Sequence, residues 1–314
     1  MTLARVSRLR ASVILSPSPA LRTNSAKDLG SIAYGSENDI TFELQGREPH
    51  VAPLIVVENV GKTFSGGAKT VRALDGVSFD VREGSFVSIV GPSGCGKSTL
   101  LKIISGLLPA GSGRVLVGGR PVEAPLANVG MVFQAPVLLK WRSVAGNVML
   151  PVEFAGLGRR EYLEKARALI GLVGLGGFEE TPPYELSGGM QQRVSLCRAL
   201  VTDPPLLLMD EPFGALDAMT RDEMDIELLR IWGEKKMTVV FVTHNIQEAV
   251  LLSDSVVVMS ARPGRVLERL PIDLARPRTA EMMCSPEFGR RALDIRGLLG
   301  SAAADPRSAL GSTT

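Results

Sequence analysis

The chain has 314 residues, 45% hydrophobic and 5% aromatic, with a formal net charge of +2. That length suits one large domain or two closely packed subdomains, and the near-neutral charge excludes a dedicated nucleic-acid binder, which carries a strong basic excess. Cys95, Cys197 and Cys284 follow no paired spacing, so neither a disulfide framework nor a cysteine metal site is expected and a reducing cytosol fits.

The first 27 residues carry Arg5, Arg8, Arg10, Arg22 and Lys27 and no acid, among many Ser and Ala. Organelle transit peptides share this composition, and so do unstructured tails; we expect an N-terminal extension without ordered structure over residues 1–53. No apolar run reaches the roughly 18–20 residues that a membrane helix needs.

Strands are expected at Leu54 to Val60 and around Val77, Phe79 and Val81, which alternate with Ser78, Asp80 and Arg82 at the period of a half-buried strand. Phe86 to Val90 reads as a short buried strand running into a glycine-rich loop, followed by a helix over Lys97 to Leu108. Further strands are expected at Arg114 to Val117 and Val129 to Phe133. Over about 135–201 the pattern turns helical: Arg160 to Leu172 is one helix, and Met190, Val194, Cys197 and Val201 recur at helical spacing in another. Strands return at Leu206 to Asp210 and Thr238 to Thr243, with helices at Ala218 to Lys235 and Gln247 to Leu252. A last pair of strands covers Ser255 to Ser260 and Arg265 to Leu270. Beyond Thr279 the composition is small and polar, and a partly disordered tail is expected over 276–314.

Three segments carry chemistry. Gly91, Pro92, Ser93, Gly94, Cys95, Gly96, Lys97 and Ser98 fit G-x-x-x-x-G-K-[ST], the phosphate-binding loop. A buried strand precedes it and a helix follows, so backbone N–H groups and the helix N-terminus converge on phosphate. Lys97 would reach the β- and γ-phosphates, and Ser98 would bind Mg²⁺. Leu206 to Met209 is an apolar strand ending in Asp210 and Glu211. Such a strand delivers Asp210 to the metal shell, and Glu211 to where it polarises a water aimed at the γ-phosphate. Ser187, Gly188 and Gly189 open an amphipathic helix, a second anion-binding helix start with a hydroxyl and bare amides. Taken singly, a Ser-Gly-Gly is an ordinary N-cap and a strand ending in acids an ordinary loop start; their combination in one chain is what gives them weight.

With these motifs in place, residues 54–275 resemble the ATP-binding cassette (ABC) ATPases. Leu186 to Gln191 resembles that family's signature and Gly91 to Ser98 its P-loop, with Thr99 beside it. Gln134 matches the Q-loop glutamine, Gly214 to Asp217 the D-loop, His244 the switch histidine and Phe64 the aromatic that stacks on adenine. The resemblance implies an α/β fold, a P-loop NTPase (RecA-like) core with an antiparallel β subdomain and an inserted helical subdomain over about 135–201. It also implies a homodimer sandwiching two ATP molecules, each held between one copy's P-loop and the other's Ser187, Gly188 and Gly189. The implied roles are Glu211, His244 and Gln134 in catalysis and Ser98, Gln134 and Asp210 around Mg²⁺. Met190, Asn245 and Phe64 depart from the commonest Gln, Asp and Tyr, and none of these changes removes a group that meets phosphate or metal.

A finer resemblance runs through Phe133 to Pro136, Trp141 to Val144, Asn147 to Met149 and Ser260 to Gly264. It is similar to the nitrate, sulfonate and taurine importer branch. It implies transmembrane permease subunits as partners, a periplasmic or extracellular solute-binding protein acting indirectly, no nucleic acid, and a peripheral place at the cytoplasmic face of a bacterial inner membrane. Trp141 would belong to the groove that receives the permease, or else be a core residue of the helical subdomain. The alternative is a non-transport ABC ATPase. Repair ATPases need a long coiled coil between P-loop and signature, and translation factors two tandem cassettes; this chain has room for neither.

Overall fold

The computed structural model describes residues 52–66 and 69–303. The N-terminal extension expected over 1–53 lies almost wholly outside them.

In chain order the chain forms β1 (Pro53–Gly66), β2 (Lys69–Arg82), β3 (Phe86–Val90), α1 (Lys97–Ile104), β4 (Ser112–Val117), β5 (Arg120–Pro121) and β6 (Val129–Val132). Four helices follow: α2 (Val144–Val148), α3 (Leu150–Phe154), α4 (Arg159–Leu172) and α5 (Gly188–Leu200). The core resumes with β7 (Leu206–Asp210), α6 (Ala218–Lys235), β8 (Thr238–Thr243), α7 (Ile246–Leu252), β9 (Ser255–Met259), β10 (Val266–Pro271) and α8 (Pro286–Ala303).

Among the described residues the strands make two sheets. One is antiparallel, in the order β2-β1-β4-β5, and the other has the order β10-β9-β3-β8-β7-β6. In the second sheet β6, β7, β8, β3 and β9 run parallel and β10 pairs antiparallel to β9. β3, β7, β8 and β9 are buried along their whole length, because a parallel sheet is covered on both faces and its strands read as continuous apolar runs. β1 and β2 pair Val57 with Phe79 and Val60 with Val77. Their inward side chains pack with Ile89, Leu100, Leu101 and Val257 into one core. The other face of the parallel sheet builds a second core with the inserted helices and α7, where Phe241 meets Phe86 and Phe213 in tilted ring contacts.

Three departures from the sequence reading have local causes. The helix expected to reach Leu108 stops at Ile104: Gly106 takes φ +77°, and a Cβ there would lie 2.1 Å from the carbonyl oxygen of Ala124. β1 and β2 are longer than their alternating cores, because each continues as hydrogen-bonded partner of the other to Gly66 and Lys69. The tail expected beyond 276 holds a helix. Ser285 Oγ accepts from Phe288 N at 3.2 Å, Pro286 stands at the first helical position, and Phe288 and Ile295 are buried against α7 and the sheet. The segment before it is tied down by Arg278. Its buried guanidinium donates to the carbonyls of Val250, Leu251 and Ser253 at the end of α7, and of Ile272 and Leu274.

Candidate nucleotide site

The carboxyl ends of parallel strands are where α/β folds bind ligands, and here four strand ends converge. β3 runs into Gly91 to Gly96, β6 leads to Gln134, β7 ends on Asp210 with Glu211 next, and β8 leads to His244. β3, β8, β7 and β6 are consecutive neighbours in the sheet, so residues distant in sequence share one edge.

The loop after β3 needs its glycines. Gly94 and Gly96 take φ +73° and +106°, a region open to glycine and costly for other residues. A Cβ on Gly96 would lie 2.7 Å from Leu74 Cδ2 and 2.9 Å from the Ala73 carbonyl oxygen. Lys97 is buried, its ammonium donating to the carbonyl oxygens of Gly91 at 2.8 Å and Pro92 at 3.2 Å. Cys95 is buried beneath the loop and burial pushes its thiol pKa up, so it acts as a small packing residue. The cavity above is lined by Phe64, Val71, Ala73, Ser93, Gly94, Gly96, Lys97, Ser98, Thr99, Gln134, Glu211 and Arg262. Phe64 remains 42% exposed, leaving its ring available for stacking.

Ser98 Oγ donates to Asp210 Oδ1 at 2.9 Å. Burial raises the Asp210 pKa, the Ser98 hydrogen bond works against that, and neighbouring Glu211 raises it further. A hydroxyl and a carboxylate side by side are hard oxygen ligands, the chemistry Mg²⁺ takes in combination with substrate phosphates. Glu211 sits at φ +47°, held there by its N–H donating to the Val242 carbonyl at 2.9 Å; such backbone strain concentrates at functional positions. Its Oε2 accepts from Gln134 Nε2 at 3.3 Å and lies 3.3 Å from His244 Nδ1. One carboxylate oxygen therefore gathers the residues following β6 and β8.

Ser187, Gly188 and Gly189 do not join this cavity. Ser187 caps α5, accepting from Met190 N at 3.3 Å, and Ser187 and Gly188 are exposed. Gly189 instead packs on the segment after Glu211: a Cβ there would lie 2.8 Å from Leu216 Cδ2. Asp217 caps α6 through the N–H and hydroxyl of Thr220, and these hydrogen bonds lower its pKa. Buried Gln192 of α5 donates to the Phe133 carbonyl at 3.0 Å, tying this helix to the strand before Gln134.

The segment after Gln134 is shaped by Asn147. Buried on α2, it accepts from Leu139 N at 2.7 Å and donates to the carbonyls of Leu139, Arg142 and Ser143. Arg198 donates to the carbonyls of Pro136 and Val137. Held this way, the segment leaves Trp141 80% exposed, which removes the core alternative for this residue. A groove nearby is lined by Val137, Leu139, Leu150, Pro151 and Phe154, the last 84% exposed.

Sequence reasoning missed Arg262, Val71 and Ala73 as cavity residues. Arg262 falls in Ser260 to Gly264, a turn whose pattern drew attention without assigning any residue in it a role.

Residues 74–214 match the ABC transporter family. The chain is 51% identical over 239 residues to a taurine import ATP-binding protein of Rhizobium johnstonii, covering 74% of this chain and 91% of that protein. It is 41% identical over 239 residues to an aliphatic sulfonates import ATP-binding protein of Bacillus cereus, covering 76% and 94%. Among solved structures it is similar to a dimeric bacterial ABC transporter cassette, at 33% identity and a TM-score of 0.65, covering 70% of this chain and all of that one. The same cassette in a post-hydrolysis state, bound to ADP and phosphate, gives a TM-score of 0.63 at 32% identity.

Proposed function

This chain belongs to the ABC transporter family, and from that premise we propose that it is the ATP-hydrolysing subunit of an importer for taurine, alkanesulfonates or a similar small solute. The observation that carries the reading is the meeting of Lys97, Ser98, Asp210, Gln134, Glu211 and His244 at one sheet edge, in a chain matching import ATP-binding proteins over nearly their whole length.

The residues divide the work as phosphoryl transfer requires, by positioning and by charge. Loop N–H groups and the Lys97 ammonium hold the β- and γ-phosphates, and Phe64 stacks on the base. Ser98 and Asp210 would hold Mg²⁺, with Gln134 beside them, and the ion would supply positive charge against the phosphate oxygens. Glu211 accepts the proton of the attacking water. Gln134 and His244, both at its Oε2, fix the direction of that carboxylate, and His244 would meet the γ-phosphate. A second copy supplies Ser187, Gly188 and Gly189 across the ATP, so closing the dimer and completing the site are one event.

No helix among the described residues is long and apolar enough to cross a membrane. In this reading the chain works against a membrane-embedded permease, with a solute-binding protein delivering cargo on the far side, and sits peripherally at the cytoplasmic face. Trp141, Phe154 and the groove lined by Val137 and Leu150 are the surface we assign to the permease. An exposed apolar patch of this kind marks an interaction site.

The test is Mg²⁺-dependent ATP hydrolysis by the purified chain, with Lys97→Ala as control. Turnover that vanishes with Lys97→Ala supports the reading; turnover untouched by it places hydrolysis elsewhere.

A further inference from the structure

Arg262 reaches the nucleotide cavity from the Ser260 to Gly264 turn, to which no role was given above. Its Nε and Nη2 both donate to the carbonyl oxygen of Gly94, at 3.0 and 2.8 Å. The fit is close: a Cβ on Gly94 would stand 3.0 Å from Nη2. The turn that carries Arg262 is itself fixed. Gly264 N donates to the Ala73 carbonyl at 2.9 Å and Asp75 N to the Gly264 carbonyl at 3.0 Å. Arg265 pairs with Asp75, and Ser260 Oγ accepts from Arg265 N at 3.0 Å. A Cβ on Gly264 would lie 2.1 Å from the Cys95 carbonyl oxygen, so this turn and the phosphate loop are in direct backbone contact.

A loop that binds phosphate must offer N–H groups and keep its carbonyl oxygens occupied elsewhere, since each free carbonyl repels the anion. In this loop the Lys97 ammonium takes the carbonyls of Gly91 and Pro92. The Gly94 carbonyl falls to Arg262. We propose that Arg262 is a positioning residue for nucleotide binding, holding the middle of the phosphate loop in its anion-binding shape through the Gly94 carbonyl. The inference rests on the reading of this cavity as the ATP site. Two N–H groups directed at one oxygen are a guanidinium property that a lysine ammonium on a flexible stem does not reproduce. Part of the ordering cost of the loop is met before nucleotide arrives, and that raises affinity.

The experiment measures Kd for ATP and for inorganic tripolyphosphate, with kcat and KM for hydrolysis, in the wild type, Arg262→Ala, Arg262→Lys and Lys97→Ala. Arg262→Ala should weaken ATP about 3–10-fold, the range for a charge-assisted hydrogen bond discounted for exposure. Tripolyphosphate should weaken by the same factor, because the effect acts on the phosphates. Saturating kcat should stay within about twofold, since the reacting water is held by other residues. Arg262→Lys, which keeps the charge and loses the fork, should remain about threefold weaker than wild type. Weakening of ATP alone would make Arg262 a direct contact to base or sugar and overturn the proposal. Full recovery in Arg262→Lys would replace the fork with charge alone, and unchanged Kd values in both variants would leave the loop independent of Arg262; either result overturns it. A wild type that binds no ATP, or a Lys97→Ala that binds it equally well, would instead remove the ATP-site reading itself.

Discussion

Arg221 Nε lies 3.5 Å from Glu248 Oε1, joining α6 to α7. Arg221 also donates to the Leu216 carbonyl at 3.0 Å, and Glu248 accepts from the Thr243 hydroxyl, which in turn accepts from Asn245 N at 2.9 Å. The segments on either side of His244 and before Asp217 thus share one buried network. Asp225 lies in it with its Oδ1 unpartnered.

Burial, followed by the charges of Glu248 and Asp222, raises the Asp225 pKa well above 3.8, and Arg221 only partly offsets them. The folded protein binds this proton more tightly than the unfolded chain does. Stability is therefore greatest with the acid protonated and falls as pH rises through the folded-state pKa. Asp225→Asn mimics the protonated form, so it should raise Tm by ~3 °C at pH 8, the shift that about 1 kcal/mol gives a domain of this size. The gain should shrink toward zero as pH approaches 4. Melting curves across that range check this; a gain independent of pH, or a loss at pH 8, contradicts it.

The C-terminal helix should be part of the folded unit. Ile295 is fully buried and Phe288 nearly so. Ile295→Ala should cost about 2–5 kcal/mol, as for other large-to-small core changes. Ending the chain at Cys284 should cost at least as much. Urea unfolding measures both, and a change under about 0.5 kcal/mol, typical of a surface substitution, would show that α8 does not pack as described.

On the exposed segment that follows Leu139, Lys140→Glu and Trp141→Ser should each weaken capture of the permease, the latter about tenfold or more, as truncation of an aromatic anchor does, and leave ATP affinity of the isolated subunit unchanged. Pull-down of the permease, paired with ATP titration, tests this. Equal capture by both variants removes the surface from the permease interface, and lost ATP affinity reassigns it to the nucleotide site.

The parallel core was legible because its strands are largely apolar runs such as Leu206 to Met209, and β7 and β8 lead into Asp210 and His244, polar residues whose type suits metal or phosphate. Motif spacing then placed Lys97, Asp210, Glu211 and His244 at one edge. Arg262 was not legible: it meets Gly94 across 168 residues, through a turn whose position depends on how β9 and β10 pair. The end of α1 was hidden for a similar reason, since Gly106 is forced by the approach of Ala124 from beyond β5. α8 differs from both. Ser285, Pro286 and Glu287 form a helix start, and Phe288, Ala292, Ile295 and Leu299 follow helical spacing, but small residues between them dilute the apolar pattern. Trp141 could not be placed from sequence, because its exposure depends on the three backbone carbonyls that Asn147 binds.

In the proposed function Glu211 is the general base of a site completed by a second copy. Removing a positioned base slows a reaction by about 10²–10⁴-fold, while Glu211→Gln keeps the shape and the phosphate contacts of Lys97. The most direct measurement is the mass and nucleotide content of Glu211→Gln run on size exclusion with light scattering in Mg²⁺ and ATP. A dimer that elutes with unhydrolysed ATP is expected, and a monomer when Ser187→Arg is added. A Glu211→Gln peak that carries ADP, or that stays monomeric with ATP bound, would contradict it.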